Sequence, residues 1–373
     1  MLAGLFYYVF TTIAAGFAIG IQIIIARRFG EKNYNRIGVI FEHGSLFVLI
    51  LGSILFSILY FFSDQILHWI IDSQNIYEAS LDYIKYRKFG IIFVCFNFLY
   101  RGLYVGISNT KVITYSTIIM AIVNIFLDYC LIFGNFGFPE MGIGGAALAS
   151  FIAEVSAFIF FTLYSYITLK NKEFGMFKIH RLESELMGRI LRISTPTMIQ
   201  KLFSFSVWFI FFILIEKMGE TATGISSITR SIYMILITPC FAFATTTNTV
   251  VSRIIGEGHA EQVYSTIFKI LKNCLLCTIP IVILVSIFPL QIVRIYTDDI
   301  NFAHLVIPSI YIICSGTIFQ GIGNAFFEAV SGTGNTSAAL YLETIILIIY
   351  IAFIWMMTHL TTNVHWVWTA EIL

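Results

Sequence analysis

The sequence predicts an all-α membrane protein, a polytopic transmembrane helical bundle of two pseudo-repeat lobes. Composition is the first observation. Hydrophobic residues make up 58 % and charged residues 12 % of the 373, where soluble domains carry roughly 25 % charged residues. Mean hydropathy is +0.87. That leaves too little polar surface to coat a water-soluble particle of this length. The second observation is a series of apolar runs of membrane-spanning length, and the third is a repeat at fixed offset. A formal net charge of +1 offers no basic face to phosphates and excludes nucleic acid as a partner. The six cysteines lie within apolar runs, so no disulfide framework is expected. Cys274-x-x-Cys277 has no second ligand pair nearby to make a metal site.

A span needs about 20 mostly apolar residues. Ten are read at 3–26, 39–62, 86–108, 112–134, 143–169, 194–215, 227–252, 265–289, 303–330 and 337–358, and an eleventh opens near 366. In lipid the backbone must satisfy its own hydrogen bonds, so these runs are helices, and the alternation of a barrel is absent. The first run lacks the basic flank and small-residue cleavage site of a signal peptide. Pro239, Pro280 and Pro308 are expected to bend their helices.

Loop charge sets the orientation. Arg27, Arg28, Lys32 and Arg36, then Lys111, then Lys170, Lys172, Lys178, Arg181, Arg189 and Arg192, then Arg253, Lys269 and Lys272 all fall on one side. Alternate loops carry Asp64, Asp72, Glu78 and Asp82, Glu140, Glu216 and Glu220, and Asp298 and Asp299. The basic side is cytoplasmic. Lys85, Arg87 and Lys88 run against this rule and are expected to meet outer headgroups.

Two segments recur at one constant offset, position 25 answering to 251 and position 106 to 332. Ile25-Ala-Arg-Arg-Phe-Gly-Glu31 aligns with Val251-Ser-Arg-Ile-Ile-Gly-Glu257, and Gly106-Ile-Ser-Asn-Thr110 with Gly332-Thr-Gly-Asn-Thr336. Both lie at cytoplasmic helix ends, which indicates a duplicated half, a construction common in secondary transporters. The lobes are read as residues 1–180 and 181–373. By the same offset the helix at 194–215 has its partner before residue 1, and the helix at 143–169 has its partner near 369–395. Twelve helices are therefore expected of a complete version, with the first and most of the last missing from this chain.

With these motifs the sequence resembles the multidrug and toxic compound extrusion (MATE) family. The carrying residues are Ala26-Arg27 through Gly30, Ser252-Arg253 through Gly256, Asn124-x-x-x-Asp128-Tyr129, Leu131-Ile-Phe-Gly134, Gly137-x-Pro139 and Met141-Gly-Ile-Gly-Gly-Ala-Ala147. Thr195-Pro196 and Gly332-Thr-Gly-Asn-Thr336 complete the set. The resemblance implies two six-helix lobes about a cleft, exporting organic cations or metabolites in exchange for H⁺ or Na⁺. Distant relatives flip lipid-linked sugars. In the sodium-coupled branch the helix matching 194–215 carries a carboxylate where this chain has Ser204, and the span 303–330 carries an Asp near Gln320. The resemblance thus implies that the second half lacks that cation site, which moves coupling to the first half and Asp128.

The residues support a reading of their own. An ionisable group at membrane depth is costly and usually functional. Asp128 lies about one and a half turns before the end of its span, with Asn124 one turn away on the same face. Such a pair can bind Na⁺ or take a proton once burial disfavours the anion. The alternative is that Asp128 snorkels outward or hydrogen-bonds a neighbouring helix. Glu154, beside Ala153 and Ala157, is expected to share the cavity of Asp128. Arg101 and Arg230 lie deep enough to pair with acids such as Glu328 and Glu343, while Lys201 can snorkel. Gln22 and Asn248 are repeat-equivalent amides with a structural role.

These readings converge on an exporter of small, cationic organic compounds in the bacterial inner membrane, acting as a monomer. Asp128, Asn124, Glu154 and Arg101 line its ion and substrate site. No resident cofactor is expected beyond the transported H⁺ or Na⁺. A lipid-linked oligosaccharide flippase and a non-transporting remnant are the alternatives. An enzyme is not expected, because no nucleophile–base pair or phosphate loop is present.

Overall fold

A computed structural model describes residues 2–71, 74–169, 174–178 and 180–372. Asp72, Lys170 and Lys172 of the loop-charge pattern lie outside the described residues. The chain folds as α1 (Leu2–Gly30), α2 (Asn35–Ile70), α3 (Gln74–Arg87), α4 (Ile91–Gly106), α5 (Lys111–Phe133), α6 (Gly142–Leu169), α7 (Ser184–Glu216), α8 (Glu220–Gly256), α9 (Val263–Ile287), α10 (Pro289–Val293), α11 (Ile300–Gly332), α12 (Thr336–Leu360) and α13 (Val364–Trp368). A short 3₁₀ turn joins α3 to α4, and another, Thr369–Ile372, follows α13. Ten helices among the described residues are long and apolar enough to cross a membrane, with α3 and α4 counting as one at Gln74–Gly106. They coincide with the ten spans read from the apolar runs. The chain is an integral membrane protein.

The described residues form two compact units, Met1–Leu202 and Phe203–Leu373. The division falls within α7, later than the lobe boundary at 180, and local packing gives the reason. The connection after α6 docks on α2: Gly38 N donates to Phe174 O (2.8 Å), and His180 donates from its backbone N to Glu42 (3.1 Å). Arg36 pairs with Glu183 at 2.6 Å. The first half of α7 then lies against α1, where Thr197 Oγ1 donates to Gly16 O at 2.7 Å. Residues 174–178 and 180–202 are therefore held by the first unit through these polar contacts.

The first unit buries Phe17, Ile21 and Ile25 of α1 with Leu99 and Tyr104 of α4 and Phe161 of α6. The second buries Phe211 and Ile215 of α7 with Leu236 of α8, Ile310 and Ile313 of α11 and Trp368 of α13. Apolar side chains such as Ile122 and Ile125 of α5, and Ile345 and Ile349 of α12, point outward. A lipid solvent tolerates this, because packing and polar contacts rather than water exclusion hold helices together there.

The repeat is present in the backbone as well as in the side chains. After α1, Glu31 N, Lys32 N and Asn33 N donate to Arg27 O, Phe29 O and Arg28 O; after α8, Glu257 N, Gly258 N and His259 N donate to Arg253 O, Ile255 O and Ile254 O. Each of these bonds maps onto its counterpart at the repeat offset. Lys32 and Gly258 both hold positive φ (57° and 83°), as do Ser108 and Gly334 (58° and 88°). α1 packs on α4 as α8 packs on α11.

Candidate functional site

Among the described residues each unit buries one carboxylate beside a tyrosine and a glycine, and the repeat relates those partners. In the first unit Glu154 of α6 is 9 % exposed. Arg87, the last residue of α3, reaches it with Nη1 2.6 Å from Oε2. The guanidinium lies 4.3 Å from the ring centre of Tyr7, and its Nε donates to Tyr83 Oη at 3.3 Å. Asn97 Nδ2 donates to the Glu154 carbonyl at 2.9 Å. Gly90 lies directly above the carboxylate, and a Cβ there would collide with Oε2. Arg87 therefore does not meet headgroups as the loop-charge rule suggested. Its turn inward supplies the counterion that makes a buried Glu154 tolerable.

In the second unit the carboxylate is Glu371, 4 % exposed, in the turn after α13. Tyr350 of α12 donates to Oε1 at 2.7 Å, and Gln320 Nε2 of α11 donates to Oε2 at 2.7 Å. Tyr233 Oη of α8 lies 2.8 Å from Oε2. Tyr233 is the repeat counterpart of Tyr7. Gly316, whose added Cβ would lie 3.0 Å from Glu371 O, is the counterpart of Gly90. The counterpart of Arg87 is Ile313, fully buried and apolar. Glu371 makes no ion pair among the described residues.

Glu371 was not singled out from the sequence. The one available signal was an acid a few positions into the eleventh apolar run, where 368–371 reads Trp-Thr-Ala-Glu. Both positions that the resemblance marks as having lost a carboxylate in this half have one beside them from another element. Ser204 hydrogen-bonds Glu343 of α12, and Gln320 hydrogen-bonds Glu371. The second half is thus not without buried acid; its acids come from other helices.

Asp128 and Asn124 lie one turn apart on α5, half-buried, as their spacing predicts. Asp128 Oδ1 and Asn124 Nδ2 are buried, and neither has a hydrogen-bond partner among the described residues. The two side chains do not bond each other. Glu154 does not join them; its partners come from α3 and α4, so the expected shared cavity with Asp128 does not form through any hydrogen bond or ion pair among the described residues. Arg101 makes no ion pair among the described residues and lies 5.9 Å from the ring centre of Phe98. Arg230 lies similarly over Phe212, at 5.1 Å. Within the second unit Arg230 makes no ion pair with Glu328 or Glu343 among the described residues. Asn248 is what reaches Glu328, with Nδ2 2.9 Å from Oε2.

Ten membrane-length helices, a duplicated backbone and intramembrane acids in both units define a polytopic helical membrane protein of repeat construction. The MatE family model matches residues 2–130 and 196–356, and the chain belongs to that family. The chain is similar to the probable multidrug resistance protein NorM of Thermotoga maritima, 27 % identical over 334 residues that cover 88 % of this chain and 71 % of that protein. It is also 27 % identical over 220 residues to the probable multidrug resistance protein NorM of Agrobacterium fabrum, spanning 59 % of this chain and 47 % of the relative. The fold matches a crystal structure of a MATE protein in complex with MaL6, with a TM-score of 0.90 at 20 % identity over 100 % of this chain and 84 % of that one.

Proposed function

We propose that this protein is a secondary active transporter of the multidrug efflux type, exporting small organic cations across the bacterial plasma membrane as a monomer, in exchange for H⁺ or Na⁺. Membership of the MatE family and the names of its NorM relatives support export as the activity. The observation that carries the coupling residue is the pairing on α5 of two buried polar atoms with no protein partner among the described residues, Asp128 Oδ1 and Asn124 Nδ2. An acid in this state has an acceptor to offer to a proton or a cation. Taking either changes the charge on the wall of the unit and so biases it between two packings, which is what coupling a gradient to alternating access requires.

Glu154 has a different part in this reading. Its charge is already matched by Arg87 at 2.6 Å, so it holds α6 to α3 rather than carrying the ion. Drug efflux from a pump-deficient host expressing the protein tests the assignment. Asp128→Asn is expected to abolish export at equal membrane abundance, and equal export by both forms would remove Asp128 from the mechanism.

A further inference from the structure

Around Glu371 the short contacts outnumber the hydrogens available to make them. Tyr233 Oη lies 2.6 Å from Gln320 Oε1 and 2.8 Å from Glu371 Oε2. Each is an O···O contact of hydrogen-bond length and each needs one hydrogen, but a phenol brings only one. Gln320 Nε2 spends its hydrogens on Glu371, at 2.7 Å to Oε2 and 3.2 Å to the main-chain carbonyl. Turning the Gln320 amide over does not remove the deficit. Nε2 would then donate to Tyr233 Oη, but Oε1 would take its place against Glu371 Oε2, at 2.7 Å and again with no hydrogen between them. In both orientations the missing hydrogen belongs on Glu371 Oε2.

Charge leads to the same place. A buried carboxylate without a cation is costly even when hydrogen-bonded. The first unit meets that cost with Arg87, whose counterpart here is Ile313. The titratable groups facing Glu371 are the phenols of Tyr233 on α8 and Tyr350 on α12. On its own segment His365 is engaged with Ser309 of α11 (2.7 Å), and the Trp368 indole N–H donates to Ser226 of α8 (3.0 Å). None of these is a cation set against the carboxylate.

We infer that Glu371 is a proton-binding site: its Oε2–H donates to Tyr233 Oη, and Tyr233 passes its own hydrogen to Gln320 Oε1. With this proton in place every short contact has one hydrogen and the cage is neutral. When the proton leaves to solvent, the carboxylate keeps the electron pair and the Tyr233 hydrogen turns from Gln320 Oε1 to Glu371 Oε2. The side-chain bond from α8 to α11 is then lost, while the bond between α8 and the terminal turn persists with its direction reversed. Proton occupancy thereby decides whether Tyr233 ties α8 to α11 as well as to the terminal turn. The inference rests on hydrogen counting within the second unit and not on the transport reading, so drug export is not its readout.

Infrared spectroscopy of the purified full chain in lipid nanodiscs at neutral pH tests it. A carboxylic acid C=O band that shifts on H₂O/D₂O exchange is expected, retained in Asp128→Asn and lost in Glu371→Gln. Absence of the band from the wild type, or its survival in Glu371→Gln, overturns the proposal. Tyr233→Phe removes the acceptor while keeping the ring. Its band is expected to persist at higher frequency, as for a carboxyl that no longer donates, and an unmoved band overturns the assigned geometry. That variant decides the matter if Glu371→Gln does not yield folded protein.

Discussion

The two units descend from one repeat and bury an acid apiece, yet they neutralise it by different means. In the first, Arg87 closes on Glu154 above the face of Tyr7. In the second, neutral hydrogen-bonding side chains from three helices gather on Glu371, and an isoleucine occupies the place of the arginine. The frame is shared: Tyr7 corresponds to Tyr233 and Gly90 to Gly316, while α1 on α4 matches α8 on α11. A frame can therefore be duplicated while the charge chemistry inside it diverges. A permanent guanidinium fixes the charge of one cage. A cage with only neutral hydrogen-bonding groups around its acid leaves that charge free to change with a proton, as inferred for Glu371.

The comparison is broken most directly by removing the fixed charge. Arg87→Leu leaves Glu154 buried without a counterion, which costs about 3–5 kcal/mol and should give the largest drop in thermal stability of any single change in the first unit. The double variant Arg87→Leu/Glu154→Gln is expected to recover most of that loss, because two neutral groups need no pairing. A double variant no more stable than Arg87→Leu would show that packing, not charge, makes Arg87 important.

Space above each acid gives a second, smaller contrast. A Cβ on Gly90 collides with the Glu154 carboxylate, which Arg87 holds and which cannot swing aside without breaking the pair. At Gly316 the added atom meets the Glu371 carbonyl at 3.0 Å, a contact that a shift of a few tenths of an ångström relieves. Gly90→Ala is expected to cost about 1–3 kcal/mol as an overpacking change, and Gly316→Ala less. Thermal unfolding of the two variants in one detergent orders them, and the reverse order would contradict a pair held rigidly by its ions.

How much of this was legible in the sequence follows from what lipid demands. A span must be long and apolar, so all ten long helices stand out as runs, and the repeat survives where turn geometry is strict, as at Lys32 and Gly258. Polar partners inside the membrane are set by tertiary packing, which leaves no periodic trace. Arg87 lies among Lys85 and Lys88 and reads as one more interfacial cation, while only the fold turns it inward onto Glu154, three helices further along the chain. Glu371 lies 51 residues from Gln320, and nothing local in either segment indicates the other. Asp128 and Asn124 were readable because one helix carries both, and helical spacing alone places them on one face.

The smallest effect is also the most discriminating, because it compares repeat-equivalent tyrosines by removing one oxygen from each. Tyr233 Oη serves both Gln320 and Glu371, so Tyr233→Phe unmakes two hydrogen bonds in a buried site and should cost about 1–2 kcal/mol. Tyr7 Oη is buried with no hydrogen-bond partner among the described residues, and what the Tyr7 side chain offers is its ring face under Arg87. A phenylalanine keeps that face. Tyr7→Phe should therefore leave thermal stability within about 0.5 kcal/mol of the parent, or raise it, since a buried hydroxyl without a partner is a cost rather than a gain. Tyr7→Leu, which removes the ring, should lose the cation–π contact, about 0.5–2 kcal/mol. If Tyr7→Phe instead costs as much as Tyr233→Phe, the Tyr7 hydroxyl takes part in holding Glu154, and the two cages are more alike in their chemistry than the Arg87–Glu154 pair implies.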